Sequence, residues 1–432
     1  MKIISARIEG FRNIDNNKLS FGDEITSLVS LNSYGKSNLL NAISYSVDFI
    51  KEDPKNKTRM MSSSYGIPLN KKLALKNFVA DLFFYMDIDK VTYEINYGFE
   101  FSWLKNQNNQ KNGCKIEKEW LTYRVQQKHQ KASRLIFREN GKALFKSSET
   151  GRCASVIKVD DNELVVNKLA AIDGFFYKEI IKNLNSINVH VERDFDASLK
   201  YYKSPIVFKD QVNFDLTSVA DIPRVVYKLK ESSPDSFALL IDAFRQLFPN
   251  IKELDVKEVD LGDIHDLKTP DDVPYIITNK VYSMYVQDIN LNQPLDFLGM
   301  SDGAKRVFLM LTYIILAKIN GYLLIALEEP ENSIHPSLLQ SYLAILSELS
   351  GDCRIVVSSH SPYIIQYVNT NNIYIGKPNS NGIADFSRID NKRMKYLLTD
   401  AADSSDSVGN YIFELLSGGE ADNEILLSYL EK

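Results

Sequence analysis

Cysteine is scarce: three residues among 432, Cys114, Cys153 and Cys353, scattered and odd in number. That excludes a disulfide framework or a cysteine metal motif, and fits a reducing cytoplasm. No apolar run reaches the roughly 18 residues a membrane helix needs, so no membrane partner is expected. The opening residues Met1-Lys2-Ile3-Ile4-Ser5-Ala6-Arg7-Ile8-Glu9-Gly10 form a charged strand pattern, not a signal peptide. Internal repeats, sustained heptads and a Cys-x-x-Cys hook are all missing. Charge is nearly balanced at −5, so overall charge favours no class of partner, and 44% hydrophobic content is ordinary for a globular chain. The length predicts two or three lobes rather than one core.

What is present begins with Leu323-Leu324-Ile325-Ala326-Leu327-Glu328-Glu329-Pro330-Glu331-Asn332-Ser333-Ile334-His335-Pro336. The apolar run reads as a buried strand of a parallel sheet. It ends in two adjacent carboxylates, at the strand end where open α/β sheets place ligands. Acids there are costly unless they serve a cation, a water or a partner. The pattern points to a nucleotide hydrolase.

A second pattern agrees. Ile25 to Val29 reads as a short strand, Ser30-Leu31-Asn32-Ser33-Tyr34-Gly35-Lys36-Ser37 as a loop, and Leu39, Leu40, Ala42 and Ile43 as the apolar face of a helix. Strand, loop, Gly-Lys-Ser, helix is the order of a phosphate-binding loop, with backbone N–H groups and the helix N-terminus facing the phosphates. Lys36 would reach the β/γ-phosphates and Ser37 would bind Mg2+. Ser30 stands where the full motif begins with glycine.

Three further features follow in order. Leu298-Gly299-Met300-Ser301-Asp302-Gly303-Ala304-Lys305-Arg306 precedes an amphipathic helix expected over Ala304 to Ile319, with Ser301 as its N-cap. The acidic strand comes next. Cys353-Arg354-Ile355-Val356-Val357-Ser358-Ser359-His360-Ser361-Pro362 then gives another buried strand ending in His360.

With Gly10-Phe11-Arg12-Asn13-Ile14, these pieces make the chain resemble the ABC-type ATPase heads of the RecF/SMC/OLD group. The resemblance is closest to single-chain AAA/ABC-like ATPases of bacterial anti-phage systems (abortive infection, PARIS, Septu and retron types). It implies an α/β P-loop NTPase head of ABC type with a β-rich lobe and a helical insertion. It implies ATP and Mg2+, with Arg12, Asn32, Ser33, Tyr34, Gly35, Lys36, Ser37 and Asn38 around the nucleotide. Glu328 would be the metal-side acid beside Ser37, Glu329 the general base that orients water, and His360 the γ-phosphate switch. Ser301 and Gly303 match the signature that completes a second subunit's site, which implies a homodimer or higher oligomer. Ser30, Ser33 and the bulky Tyr34 depart from the usual loop and suggest low turnover. Leu416-Ser417-Gly418-Gly419-Glu420 spells a transporter signature but lies after the acidic strand, and reads instead as a glycine helix stop.

The chain divides into 1–78, the first part of the head; 79–167, a β-rich lobe; 168–290, a helical insertion with return strands; 291–390, the second part of the head; and 391–432, a helical tail. The insertion shows helical patterns at Val219 to Lys230 and Asp235 to Leu247. From Lys105 to Lys146, eleven Lys/Arg stand against three Glu, interleaved with Trp120 and Tyr123 and preceded by Trp103. DNA or another nucleic acid could follow such a surface; the alternative is a solvated sheet face or an acidic partner. Asp260, Asp263, Asp266, Asp271 and Asp272 read as a solvated acidic loop. His129, His190 and His265 lack metal spacing, and His335 is expected to shape a turn before Pro336. Only 70 residues follow His360-Ser361-Pro362, short for a fused Toprim nuclease, so a separate nuclease or toxin effector is expected. The leading reading is the sensor or regulatory ATPase of an anti-phage system. The rivals are a RecF-like DNA repair ATPase and a nucleotide-gated scaffold with little turnover.

Overall fold

The structure, a computed structural model, describes residues 1–62, 66–107, 110–126, 131–193, 200–208, 221–262, 273, 275–377 and 382–431. Two units make it up: Met1–Val191 with Ala326–Glu328 and Arg354–Lys432, and Glu192–Ile325 with Glu329–Cys353.

The first unit carries an eight-stranded antiparallel sheet. Its order is Cys153–Val156, Lys142–Lys146, Ser133–Glu139, Lys115–Val125, Val91–Ser102, Phe78–Ile88, Lys2–Phe11, Ile14–Ser20. In Phe78–Ile88 every second residue from Phe78 to Met86 is buried, the period of a strand with one face on a core. On that face Phe49, near the end of helix Lys36–Lys51, stacks on Phe99 and Phe101 at centroid distances of 5.0 and 4.8 Å. Phe78 stacks on Phe101 at 4.9 Å. This aromatic contact fixes the helix that begins at the phosphate loop. Lys57, buried, donates to the carbonyls of Ile50 and Glu52 at the far end of that helix, where a cation suits the helix dipole.

A six-stranded sheet runs Val189–Glu192, Leu324–Glu328, Arg354–Ser359, Thr26–Val29, Ile373–Gly376, Phe386–Arg388. Thr26–Val29 pairs in parallel with Arg354–Ser359, Val29 opposite Ser359, and with Ile373–Gly376. Its four residues are all buried, as a strand covered on both faces requires. In the helical tail, Leu416 to Glu420 is the joint between helices Val408–Ser417 and Glu420–Tyr429. Gly418 is extended there rather than left-handed, and the N–H of Gly419 donates to Asp422.

The second unit holds the three-stranded sheet Ile251–Asp260, Lys280–Asp288, Leu295–Asp296 and helices Ile222–Ser232, Pro234–Leu247, Asp302–Ile319 and Pro336–Ser350. The first of these starts at Ile222 because Asp221 caps it, accepting from the N–H of Arg224. Asp302–Ile319 is not amphipathic: Val307 to Ala317 is buried without interruption. Such a helix belongs inside a unit, and Phe308 meets Phe244 and Phe297 there. Among the described residues no helix is long and apolar enough to cross a membrane, and no group of three His, Cys, Asp or Glu could hold a metal. His129, His265, Asp263, Asp266, Asp271 and Asp272 lie outside the described residues.

Candidate functional site

The phosphate loop is shaped by two unusual backbone positions. Gly35, the N-cap of Lys36–Lys51, has φ 132°, and a Cβ there would come within 2.8 Å of Ala384 Cβ and 2.9 Å of Asn13 Oδ1. Glycine is therefore required both by conformation and by space. Ser33 has φ 58°, a left-handed conformation that strains a residue with a side chain. The substitution of serine for glycine noted in the sequence falls on a position where glycine is the relaxed choice.

Lys36 is buried, and its ammonium lies 3.0 Å from the carbonyl of Ser30, 3.3 Å from that of Leu31 and 3.3 Å from Ser30 Oγ. It also sits against the His360 ring, 3.1 Å from Nδ1 and 3.2 Å from Nε2. His360 Nδ1 is 2.8 Å from the Ser30 carbonyl, which can only accept, so Nδ1 is the donor and Nε2 faces the lysine as acceptor. Parallel pairing of Ser359 with Val29 sets this up, because each strand's next residue, His360 and Ser30, leaves the sheet at the same edge. Glu328 ends the strand on the other side of Arg354–Ser359.

Arg12 reaches the loop through a relay of side chains. Its Nη1 donates to Asn38 Oδ1 at 2.8 Å, Asn38 Nδ2 to Asn13 Oδ1 at 2.8 Å, and Asn13 Nδ2 to the Tyr34 carbonyl at 2.8 Å. Tyr34 turns its ring away from the loop, edge-on to Phe386 at 5.3 Å. Its hydroxyl donates to the Lys377 carbonyl at 2.5 Å and accepts from the N–H of Asp385 at 3.0 Å. Burial pushes this phenol up to about 12, so it stays protonated. Gly376 makes room: a Cβ there would meet the Tyr34 ring at 2.6 Å and Ser30 Cβ at 2.7 Å. Asn32 and Ser33 are exposed, and Ser37 is half-buried in the helix's first turn. Lys36 and His360 thus meet directly, and Arg12 and Asn38 reach Tyr34 through Asn13. The residues that sequence reasoning missed as site members are Asn13 and Gly376; Asn13 had a signal, beside Arg12 in Gly10-Phe11-Arg12-Asn13-Ile14, whereas Gly376 had none.

In the second unit, Glu329 holds a left-handed φ of 49°. Its carbonyl accepts from Arg306 Nη2 at 2.8 Å and its Oε2 from Asn332 Nδ2 at 2.6 Å. Ser301 caps Asp302–Ile319, accepting from the N–H of Ala304 at 3.3 Å. A Cβ on Gly303 would lie 2.4 Å from the Ser333 carbonyl, so this glycine lets the signature helix approach the turn after the acidic strand. His335 caps Pro336–Ser350, as its place before proline suggested.

Lys128 of the basic stretch lies outside the described residues, and among the others several are paired or buried. Arg138 is buried and donates to the carbonyls of Glu163 and Asp160, Lys118 pairs with Glu100 and Glu139, and Arg124 with Glu94. Trp103 is buried with its indole on the Gly10 carbonyl, and the Trp120 indole donates to Asp81. These aromatics pack and hydrogen-bond internally instead of offering faces to bases.

Comparison with known proteins places this geometry. An SMC head bound to the C-winged helix domain of ScpA is similar with a TM-score of 0.50 at 13% identity, over 91% of this chain and all of that one. The fold is that of an ABC/SMC-type ATPase head. The head domain of SMC from Thermotoga maritima aligns at 0.43 and 12% identity, over 90% of this chain and all of that one. Residues 178–366, less than half of the chain, match the family described as "AAA domain, putative AbiEii toxin, Type IV TA system". That match spans Ser301 to Gly303, the acidic strand and His360, and leaves Ser30 to Ser37 outside. No curated protein matches the chain.

The loop of this head fits a triphosphate: a glycine cradle that a Cβ would fill, a buried ammonium on exchangeable carbonyl contacts, and the N-terminus of a 16-residue helix. Ser37 and Glu328 are oxygen donors of the kind Mg2+ takes.

Proposed function

We propose that the chain binds ATP at Ser30 to Ser37 and hydrolyses it. The observation that carries this reading is the buried ammonium of Lys36, held between the Ser30 carbonyl and His360 at the start of helix Lys36–Lys51. Lys36 and the backbone N–H groups of Asn32 to Asn38 bind the phosphates, and Arg12 is positioned beside them through Asn38. Glu329 orients the attacking water, and His360 responds to the γ-phosphate by exchanging its contact with Lys36. Such catalysis is positioning and charge stabilisation rather than covalent chemistry. Mg2+, when bound, neutralises phosphate charge, and Ser37 and Glu328 would hold it. Ser301 and Gly303 act on the nucleotide of a second copy, so the working form is a homodimer or higher oligomer.

The work driven by ATP is regulatory: control of a separate nuclease or toxin in a bacterial anti-phage system in the cytoplasm. The toxin–antitoxin description of the family matched by 178–366 supports this. A nucleotide-gated scaffold is the second reading, favoured by the Tyr34 tether, which restrains a loop that is usually glycine-rich and mobile.

One pair of variants tests the core proposal. Lys36→Ala is expected to lose ATP binding in a calorimetric titration; wild-type affinity would remove the loop assignment. Glu329→Gln is expected to keep ATP binding and lower steady-state turnover at least a hundredfold, the order seen when a transition-state contact is removed. Normal turnover in that variant places the base elsewhere, and absent turnover in the wild type selects the scaffold.

A further inference from the structure

One end of the eight-stranded sheet carries a cleft of about 580 Å3 within the first unit. Strand register gathers its walls. Tyr93 opens Val91–Ser102 opposite Val125, Tyr123 lies opposite Ser133, and Ile88 and Lys146 end their strands at the same edge. Phe176, Tyr177 and the first turn of helix Lys178–Asn185 close the other side.

The chemistry of this cleft differs from its surroundings. Lys146 is 6% exposed, and its ammonium lies 2.9 Å from Tyr123 Oη and 3.4 Å from Ser133 Oγ. The Tyr123 and Tyr177 oxygens are 2.7 Å apart, and the ammonium is 5.4 Å from the centroid of each ring. Among the described residues Lys146 has no carboxylate within ion-pair distance, unlike the buried Lys305, which pairs with Asp302 at 2.8 Å. Burial lowers the Lys146 pKa, but the bonds to Tyr123 and Tyr177 outweigh it and hold the value above the ordinary one, so the ammonium keeps its charge and has no carboxylate beside it to compete with an incoming anion. Burial pushes the Tyr123 phenol up, but the bonds from Lys146 and Tyr177 outweigh it and hold the phenol below its ordinary value. The acids Asp89, Glu149 and Glu179 also line the cleft, as do Lys131 and Arg124, the latter already paired with Glu94. The rings of Tyr93 and Phe176 also line the cleft, the latter 57% exposed.

We propose that this cleft binds a small organic oxyanion carried on a flat ring, with the anion on Lys146 and the tyrosine hydroxyls and the ring against Tyr93 and Phe176. An aryl carboxylate and an aryl phosphate share this chemistry. The cleft is separate from the phosphate loop and does not depend on ATP turnover. It also gives the Lys105 to Lys146 stretch a use: Tyr123, Arg124, Lys131 and Lys146 come from it.

The test is calorimetric titration of the full chain carrying Lys36→Ala, which removes the phosphate loop as a competing anion site. Benzoate and phenyl phosphate are the two ring-bearing probes; phenol supplies the ring alone, and acetate and inorganic phosphate the two anions alone. At least one ring-bearing probe is expected to saturate a single site, with its matching halves about tenfold weaker, the scale of one hydrogen bond to a charged group. Whichever of the two binds more tightly identifies the source of the anion. Lys146→Met is expected to abolish binding. Phe176→Ala, at an exposed position that leaves folding intact, is expected to weaken it several-fold. Failure of both ring-bearing probes overturns the proposal, as does undiminished binding by Phe176→Ala together with a folded Lys146→Met.

Discussion

Tyr34 is the residue at which this phosphate loop departs most from a glycine-rich one. A bulky side chain in such a loop would obstruct a nucleotide if it pointed inward. Here it points away, seated over Gly376 and hydrogen-bonded to Lys377 and Asp385. Its carbonyl meanwhile accepts from Asn13, so backbone and side chain of one residue are both held. Tyr34→Phe keeps the ring and loses the hydroxyl, at about 1 kcal/mol. The expected outcome is ATP binding three- to tenfold weaker in a calorimetric titration, on the scale that converts that energy to affinity. Unchanged affinity would show that the tether does not hold the binding geometry. The role of glycine at 35 was legible from Gly-Lys-Ser alone, because the motif is local. The direction of Tyr34 was not, since its partners lie some 340 to 350 residues away.

At the level of elements, the first unit stores a buried charge network beneath helix Val165–Ala170. Glu119 is wholly buried and accepts from the backbone N–H groups of Val165 and Val166 and from the Tyr97 hydroxyl. Burial pushes its carboxyl up to about 7, against those hydrogen bonds and the charge of Arg138. A folded-state value above the ordinary 4.5 means that the folded chain holds the proton more tightly. The stability this contributes is full below pH 4.5 and is lost as pH rises through about 7. Lys57, pushed down to about 8 by burial, titrates above that window. Glu119→Gln removes the titration and is expected to flatten the pH dependence. Between pH 5 and pH 7, wild type should lose up to about 2 kcal/mol that the variant does not lose, compared by urea unfolding. Parallel profiles would mean that the carboxyl keeps an ordinary value. Strands and helices near this network followed their periodicity, as in Phe78–Ile88. The helix Asp302–Ile319 did not, because packing on several sides buries positions that an amphipathic pattern leaves to solvent.

For the whole molecule, the proposal that Ser301 and Gly303 serve a second copy predicts ATP-dependent self-association. Glu329→Gln, which should trap ATP, is expected to shift from monomer to dimer in light scattering when ATP is added. Ser301→Arg in that background is expected to stay monomeric. Ser301→Asp keeps a side chain that caps Asp302–Ile319, separating loss of the cap, about 1 kcal/mol, from loss of the interface. A monomer at all ATP concentrations would remove the composite site. The ABC/SMC-type head, its phosphate loop and its acidic strand were readable in the sequence because each is a contiguous pattern of strand, turn and helix signals. Tertiary structure alone decided that His360 and Lys36 meet over the Ser30 carbonyl, that Arg12 reaches the loop through two asparagines, and that Lys118, Arg124 and Arg138 of the basic stretch are paired or buried. The first depends on parallel pairing of strands some 330 residues apart and the others on side chains tens of residues apart, and no local periodicity encodes which of these become neighbours.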